Sequence, residues 1–148
     1  MLTAHLIVKD AAAAIAFYVE AFGAVEKYRL VDPVDGRIGH AELVFGDTPL
    51  MIADEYPDFG AVSPDTIGGS PVNFHLAVPD ADAAMARALA AGGVLLRPVH
   101  EEFYGDRTGL VSDPFGYSWF IETRSVTVSP EEMQRRWNTS TDPGAIAS

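Results

Sequence analysis

With 148 residues the chain has room for one compact domain or two small modules sharing a core, and 48% hydrophobic residues with dispersed charge exclude a disordered polypeptide. A formal charge of −11 argues against nucleic acid and anionic membrane surfaces as partners, and the lack of cysteine excludes disulfides, thiolate metal sites and cysteine nucleophiles. Leu6–Val8 is too short an apolar run for a signal peptide and no stretch approaches a membrane span, so a cytoplasmic protein is expected.

Residues 3–9 alternate as a strand, with Leu6 and Val8 on one face and Thr3, His5 and Ile7 on the other. Asp10 is placed to cap a helix whose apolar stripe is Ile15, Tyr18, Val19 and Phe22 and which ends at Gly23. A strand over Val25–Val31, a turn at Asp32–Gly36 and a hairpin built from His40–Phe45 and Leu50–Ala53 complete a βαβββ module over about residues 3–55. Residues from about 56 to 71 are rich in Gly, Pro and Asp and predict a linker without further elements. Within it Tyr56 and Phe59 either fold over a cavity or pin the connection.

A second module covers about residues 72–123. A strand through Asn73–Val78 leads to Asp80, which caps a helix running to Ala91 with Met85 and Leu89 inward. Val94–Pro98 is a strand, and His100–Arg107 leads into a hairpin that turns at Asp113-Pro114-Phe115-Gly116 and ends with Tyr117–Glu122. Ser129-Pro130-Glu131-Glu132 predicts a helix start with a capping box, the helix covering about 129–137 and docking through Met133 and Trp137. Residues 138–148 form a polar tail expected to be disordered.

The two modules repeat each other. His75 stands 70 positions after His5, and the same offset lays Asp80 over Asp10, one Ala-rich segment over another and Gly93 over Gly23. Such repetition brings His5 and His75 to related places on equivalent strands.

This repeat, together with Tyr104-Gly105-Asp106-Arg107, Asp113-Pro114-Phe115-Gly116 and Ser129-Pro130-Glu131-Glu132-Met133, resembles the vicinal oxygen chelate superfamily over residues 3 to about 137. That group includes glyoxalase I, bleomycin-resistance proteins, fosfomycin-resistance enzymes and extradiol dioxygenases, and the likeness is greatest to its glyoxalase-like branch. The resemblance implies an α+β fold in a single domain, residues 1–148: two tandem βαβββ modules form a curved, cup-like mixed sheet with helices on the convex side, plus a short C-terminal helix. It also implies a homodimer, with the cup completed within one chain or across two. The positions of the superfamily's metal ligands fall on Thr3, Met51, Asn73 and Phe120, a poor donor set, so the usual metal site is expected to be absent.

His5, His75 and Glu122 each lie two residues beyond those positions and so face the same concave side. They form either a displaced site for a divalent metal ion or, the favoured reading, a hydrogen-bonded polar patch on the cavity floor. His40 and Glu42 either line the same cavity or face water. Phe120 offers a ligand an aromatic wall, whereas Trp119 turns toward the helices. Tyr104 and Arg107 are ligand-binding candidates, Arg107 either clamping an anionic group or locking its own turn through Asp106. The leading expectation is a small-molecule binding protein, without cofactor, for an aromatic or amphipathic ligand. A metal-dependent lyase, isomerase or dioxygenase using the displaced set is the alternative, and a ligand-free scaffold the third. His5 and His75 are expected to lie near each other or a shared ligand and to make binding depend on pH between about 5 and 8.

Overall fold

The computed structural model describes residues 1–125 and 127–140 and separates the repeat into two four-stranded mixed sheets. The first contains β1 (Ala4–Val8), β2 (Val25–Val31), β3 (Ile38–Phe45) and β4 (Thr48–Asp54) in the order β1-β4-β3-β2, with α1 (Ala11–Phe22) following β1. Between the sheets lie a single 3-10 turn at Pro57–Phe59 and the short helix α2 (Pro64–Ile67). The second sheet contains β5 (Asn73–Ala77), β6 (Val94–Glu101), β7 (Arg107–Ser112) and β8 (Ser118–Thr123) in the order β5-β8-β7-β6, with α3 (Ala81–Ala90) following β5. In each sheet the first strand runs parallel to the last, as a helical crossover requires, and the other pairs are antiparallel.

Local chemistry sets these boundaries. The Asp10 and Asp80 carboxylates accept from the backbone N–H of Ala13 and Ala83 at 3.0 and 3.1 Å, and Gly23 stops α1 in the left-handed region at φ 71°. The linker is not featureless as expected. Pro57 and Pro64 each start a single turn that Gly60 and Gly68 end, a punctuation too short to show a 3.6-residue period. β6 continues past Pro98 to Glu101; it is an outer strand, where a missing N–H is tolerated, and its register shifts between Arg97 and His100. The last helix, α4 (Pro130–Thr139), is capped by Ser129 and runs beyond the predicted end, so Asn138 and Thr139 are helical. Glu132 does not close the capping box but takes Arg135 and Arg136. The rest of the predicted tail, residues 141–148, lies outside the described residues.

Both sheets turn one face to a shared core. Leu6, Val8, Leu43 and Ile52 from the first meet Val111, Trp119 and Ile121 from the second across Ile15 and Tyr18 of α1 and Met85 and Ala88 of α3. Trp119, predicted to face the helices, is 3% exposed. One buried carboxylate ties the modules together: Asp113 accepts from Tyr18 Oη of α1, from Trp119 Nε1 at 2.9 Å, and from the backbone N–H of Phe115 and Tyr117. Tyr117 Oη donates to the carbonyl of Ile7 at 3.1 Å. Gly109 lets β7 approach α3, since a Cβ there would stand 2.8 Å from Met85 Cε and from Val99 Cγ2. No described helix is long and apolar enough to cross a membrane. With the helices inside, the opposite face of each sheet is left to carry the polar candidates.

Candidate functional site

On the first sheet, register sets His5, Met51, Glu42 and Tyr28 in one row across four strands. His40, two residues before Glu42 on β3, brings its ring to 5.7 Å from His5 and 6.0 Å from Tyr28, measured between centroids. Burial and then the neighbouring His40 charge hold the His5 imidazole below its usual range. Slight desolvation, then the charge of Glu42 and a hydrogen bond to it, push the Tyr28 phenol up. His40 is thus the neighbour of His5. His5 and His75 stand on separate sheets.

On the second sheet His75 lies against Phe120, ring centroids 4.5 Å apart and nearly parallel at 16°. Its Nδ1 is 2.8 Å from Oε1 of Glu122, a residue only 6% exposed. An ionised Glu122 takes a hydrogen bond from Nδ1–H, and in the neutral imidazole Nε2 is then an acceptor. The other Glu122 oxygen is 3.5 Å from Arg124 Nε. Phe120 is on the expected face but is 5% exposed and lies under His75, so an incoming molecule meets the imidazole first.

Beyond β6 the chain makes a tight turn in which Glu102 folds inward. Its side chain is 1% exposed, and Oε1 accepts no hydrogen bond although His100 Nε2 and Arg97 Nη2 are 3.2 and 3.7 Å away. Nothing in the sequence marks Glu102, since a Glu-Glu pair in an irregular turn has no period and reads as a solvated loop. The next two residues, Phe103 and Tyr104, meet edge to face at 4.9 Å and 86°, and Trp137 of α4 meets Phe103 at 5.8 Å and 78°. Helix α4 is fastened there by Arg136 Nη1, which donates to the Phe103 carbonyl at 3.2 Å. Together they line an open cavity of 470 Å³ with His75, Asp106, Pro130, Met133 and Gln134. Burial pushes the Tyr104 phenol up, and the charges of Glu102, Glu122 and Asp106 add to that. Met133 and Trp137 thus do dock α4, and they do so as walls of a cavity.

Arg107 corrects the sequence reading. Strand alternation turns Thr108 and Leu110 to the cup and Arg107 to the helix side, where its Nε and Nη2 each hold an Asp82 oxygen of α3 at 3.1 Å. It neither reaches the cavity nor pairs with Asp106, whose Oδ1 instead accepts from the backbone N–H of Ser125 at 3.0 Å.

The residues present do not fit a divalent ion. The positions that resemblance assigns to ligands offer a hydroxyl at Thr3, a thioether at Met51, an amide at Asn73 and the covered ring of Phe120. The displaced set is divided, His5 beside His40 on one sheet and His75 beside Glu122 on the other. Among the described residues no group of three His, Asp or Glu side chains is placed to hold a metal.

Comparison with known proteins agrees with this architecture. The sequence model of the Glyoxalase/Bleomycin resistance protein/Dioxygenase superfamily matches residues 2–121. An uncharacterized protein of Mycobacterium bovis is 40% identical over 144 residues, 95% of this chain and 94% of its own length. The X-ray structure of a gene product from Arabidopsis thaliana superposes with a TM-score of 0.65 at 28% identity, covering 82% of this chain and 96% of that one. The crystal structure of TioX from Micromonospora sp. ML1 gives 0.63 at 25% identity, covering 84% and 98%.

Proposed function

Because the chain belongs to the Glyoxalase/Bleomycin resistance protein/Dioxygenase superfamily, we propose that it is a metal-free binding protein for an aromatic or amphipathic small molecule. The ligand sits in the cup of the second module, beneath α4. One observation carries this reading: a 470 Å³ cavity whose walls are Phe103, Tyr104 and Trp137 and whose polar corner is a His75 imidazole oriented by Glu122. That volume lies within the range of ordinary ligand sites, and apolar walls with a few oriented polar groups are their usual make-up. The rings supply contact area, while His75 Nε2 fixes orientation through one hydrogen bond. A metal-dependent lyase, isomerase or dioxygenase is the weaker reading, since its donor set is divided between two sheets.

The cytoplasmic protein acts as a homodimer. The helix-free face of the first sheet exposes Val25, Tyr28 and Leu30, and β1 and β5 each end a sheet with an unpaired edge. A second copy covers such a face at lower cost than water does.

The test is calorimetric titration of chelator-treated protein with a panel of planar aromatic molecules. Saturable binding is expected, weakened about tenfold or more by Trp137→Ala and by His75→Ala with the fold intact. Absence of saturable binding, or binding that returns only when a divalent ion is added, refutes the proposal.

A further inference from the structure

We infer that the cavity beneath α4 selects a ligand bearing a cationic nitrogen, an ammonium or protonated amine carried on an apolar or aromatic body. This rests on the proposed binding role of the same cavity and names its ligand class.

The first ground is the shape of the aromatic lining. Phe103 stands nearly perpendicular to both Tyr104 and Trp137, at 86° and 78°, so the rings form the sides of an open box. Ring faces carry negative electrostatic potential, and a cation enclosed by several of them is held where a neutral group gains only contact area.

The second ground is charge. Of the lining residues the one fixed charge is the Asp106 carboxylate; neither Lys nor Arg lines the cavity. Oδ1 of Asp106 is engaged by the Ser125 backbone N–H. Burial is the first cause of the rise in the Tyr104 phenol, and the charges of Glu102, Glu122 and Asp106 add to it. The carboxylate share of that rise, unlike the share due to burial, favours an ammonium in the same place.

The positive groups nearby have partners, two of them Glu122 and Glu102 themselves, so the negative charge that faces the cavity is that of Asp106. Arg124 lies 3.5 Å from Glu122 with a mostly exposed side chain, Arg97 is at Glu102, and Arg136 is held by Glu132 and the Phe103 carbonyl. The positive end of α4 reaches the rim at Pro130, but Ser129 caps it and Glu131 and Glu132 occupy its first turn.

The third ground is hydrogen-bond capacity. The box presents acceptors: Nε2 of the neutral His75 imidazole and the Asp106 carboxylate. A donor-rich ammonium complements these, whereas a carboxylate or phosphate meets the negative charge of Asp106.

The experiment compares three probes with the same aromatic body: 2-naphthylmethylammonium, 2-naphthylmethanol and 2-naphthoate, titrated calorimetrically near pH 8. The cation is expected to bind about tenfold or more tightly than the alcohol, with the carboxylate weakest, and added salt to reduce only the cation's advantage. Asp106→Asn keeps the Oδ1 acceptor for Ser125 and removes the charge; it is expected to weaken the cation about fivefold or more and to leave the alcohol within about twofold. If all three probes bind alike and lose affinity in Trp137→Ala, the cavity is a binding site but the charge inference is overturned. An anion that binds more tightly than the cation overturns it as well. If none of the three binds, both the inference and the binding role fall.

Discussion

Removing the Asp113 carboxylate tests how the two modules are held in register. Asp113 is 5% exposed and accepts four hydrogen bonds, two of them from side chains in the core, Tyr18 Oη and Trp119 Nε1. Asp113→Ala strands both of those donors where no water reaches, at about 1–3 kcal/mol each, and frees the two backbone N–H groups of the turn. The expected loss is about 3–5 kcal/mol of unfolding free energy. Tyr18→Phe removes one donor to a charged acceptor and leaves three, and is expected to cost about 1.5–3 kcal/mol. The two changes share one contact, so in the Tyr18→Phe background Asp113→Ala costs about 1–3 kcal/mol less than it does alone. The same pair sets an alkaline limit. Burial, then the Asp113 charge and hydrogen bond, raise the Tyr18 phenol well above 10.0, so above that pH the unfolded chain releases a proton that the folded chain keeps. Stability therefore falls as pH rises beyond 10.0, and Tyr18→Phe loses this limb. Urea unfolding followed by circular dichroism reads all three effects. An Asp113→Ala protein within about 1 kcal/mol of wild type, or two costs that simply add, refutes the reasoning.

The first sheet should respond to acid: His5 is held below 6.5 by burial and His40, so the unfolded chain binds the proton first and stability declines as pH falls through 6.5. His5→Gln should flatten that decline in urea midpoints compared at about pH 7.5 and 5.5, and equal slopes would contradict the assigned environment. Gly109→Ala should cost about 1–3 kcal/mol, because the added methyl meets Val99 N at 3.1 Å as well as two side chains at 2.8 Å, and the backbone of β6 must move. A melting temperature unchanged by that substitution would mean that β7 and α3 are packed less closely than described. Arg107→Ala should leave ligand affinity within about twofold and lower stability by up to about 1 kcal/mol, because its partner is exposed Asp82; a loss of binding would return Arg107 to the site.

What the sequence disclosed was whatever a period or a cap could carry. Asp10, Asp80 and Gly23 announce helix ends because a backbone N–H or a left-handed φ demands particular residues there, and the repeat of the two modules follows from them. Trp119 and Phe120 were assigned to opposite faces correctly because a half-buried strand has a period of two. Arg107 was read from its motif and not from a period, and the pleat of β7 turns its side chain to the helix side, onto Asp82. The repeat made His5 and His75 equivalent but did not say which surface each meets; that depends on how two sheets pack through their helices, and the imidazole beside His5 is that of His40 on β3, two strands away. Glu102 and α2 lie in segments too short or irregular for any period, and the two further residues of α4 are joined to it by contacts such as Gln134 with Asn138, which are local and compatible with more than one end point.

Helix α4 has no buried residue, and it is seated by the hydrogen bond from Arg136 together with the docking of Met133 and Trp137. Segments held so lightly open at a free energy far below that of the whole molecule, and their amide hydrogens exchange through that local opening. A molecule lodged between α4 and the second sheet must leave, or lose half its walls, before the helix can lift. Occupancy therefore slows exchange along Glu131–Asn138 by a factor of about one plus the ratio of free ligand to its dissociation constant, while amides of β4 or β8 are unaffected until the whole fold opens. The exchange rate of a single peripheral helix becomes a binding isotherm, one that can be followed with no spectroscopic handle on the ligand.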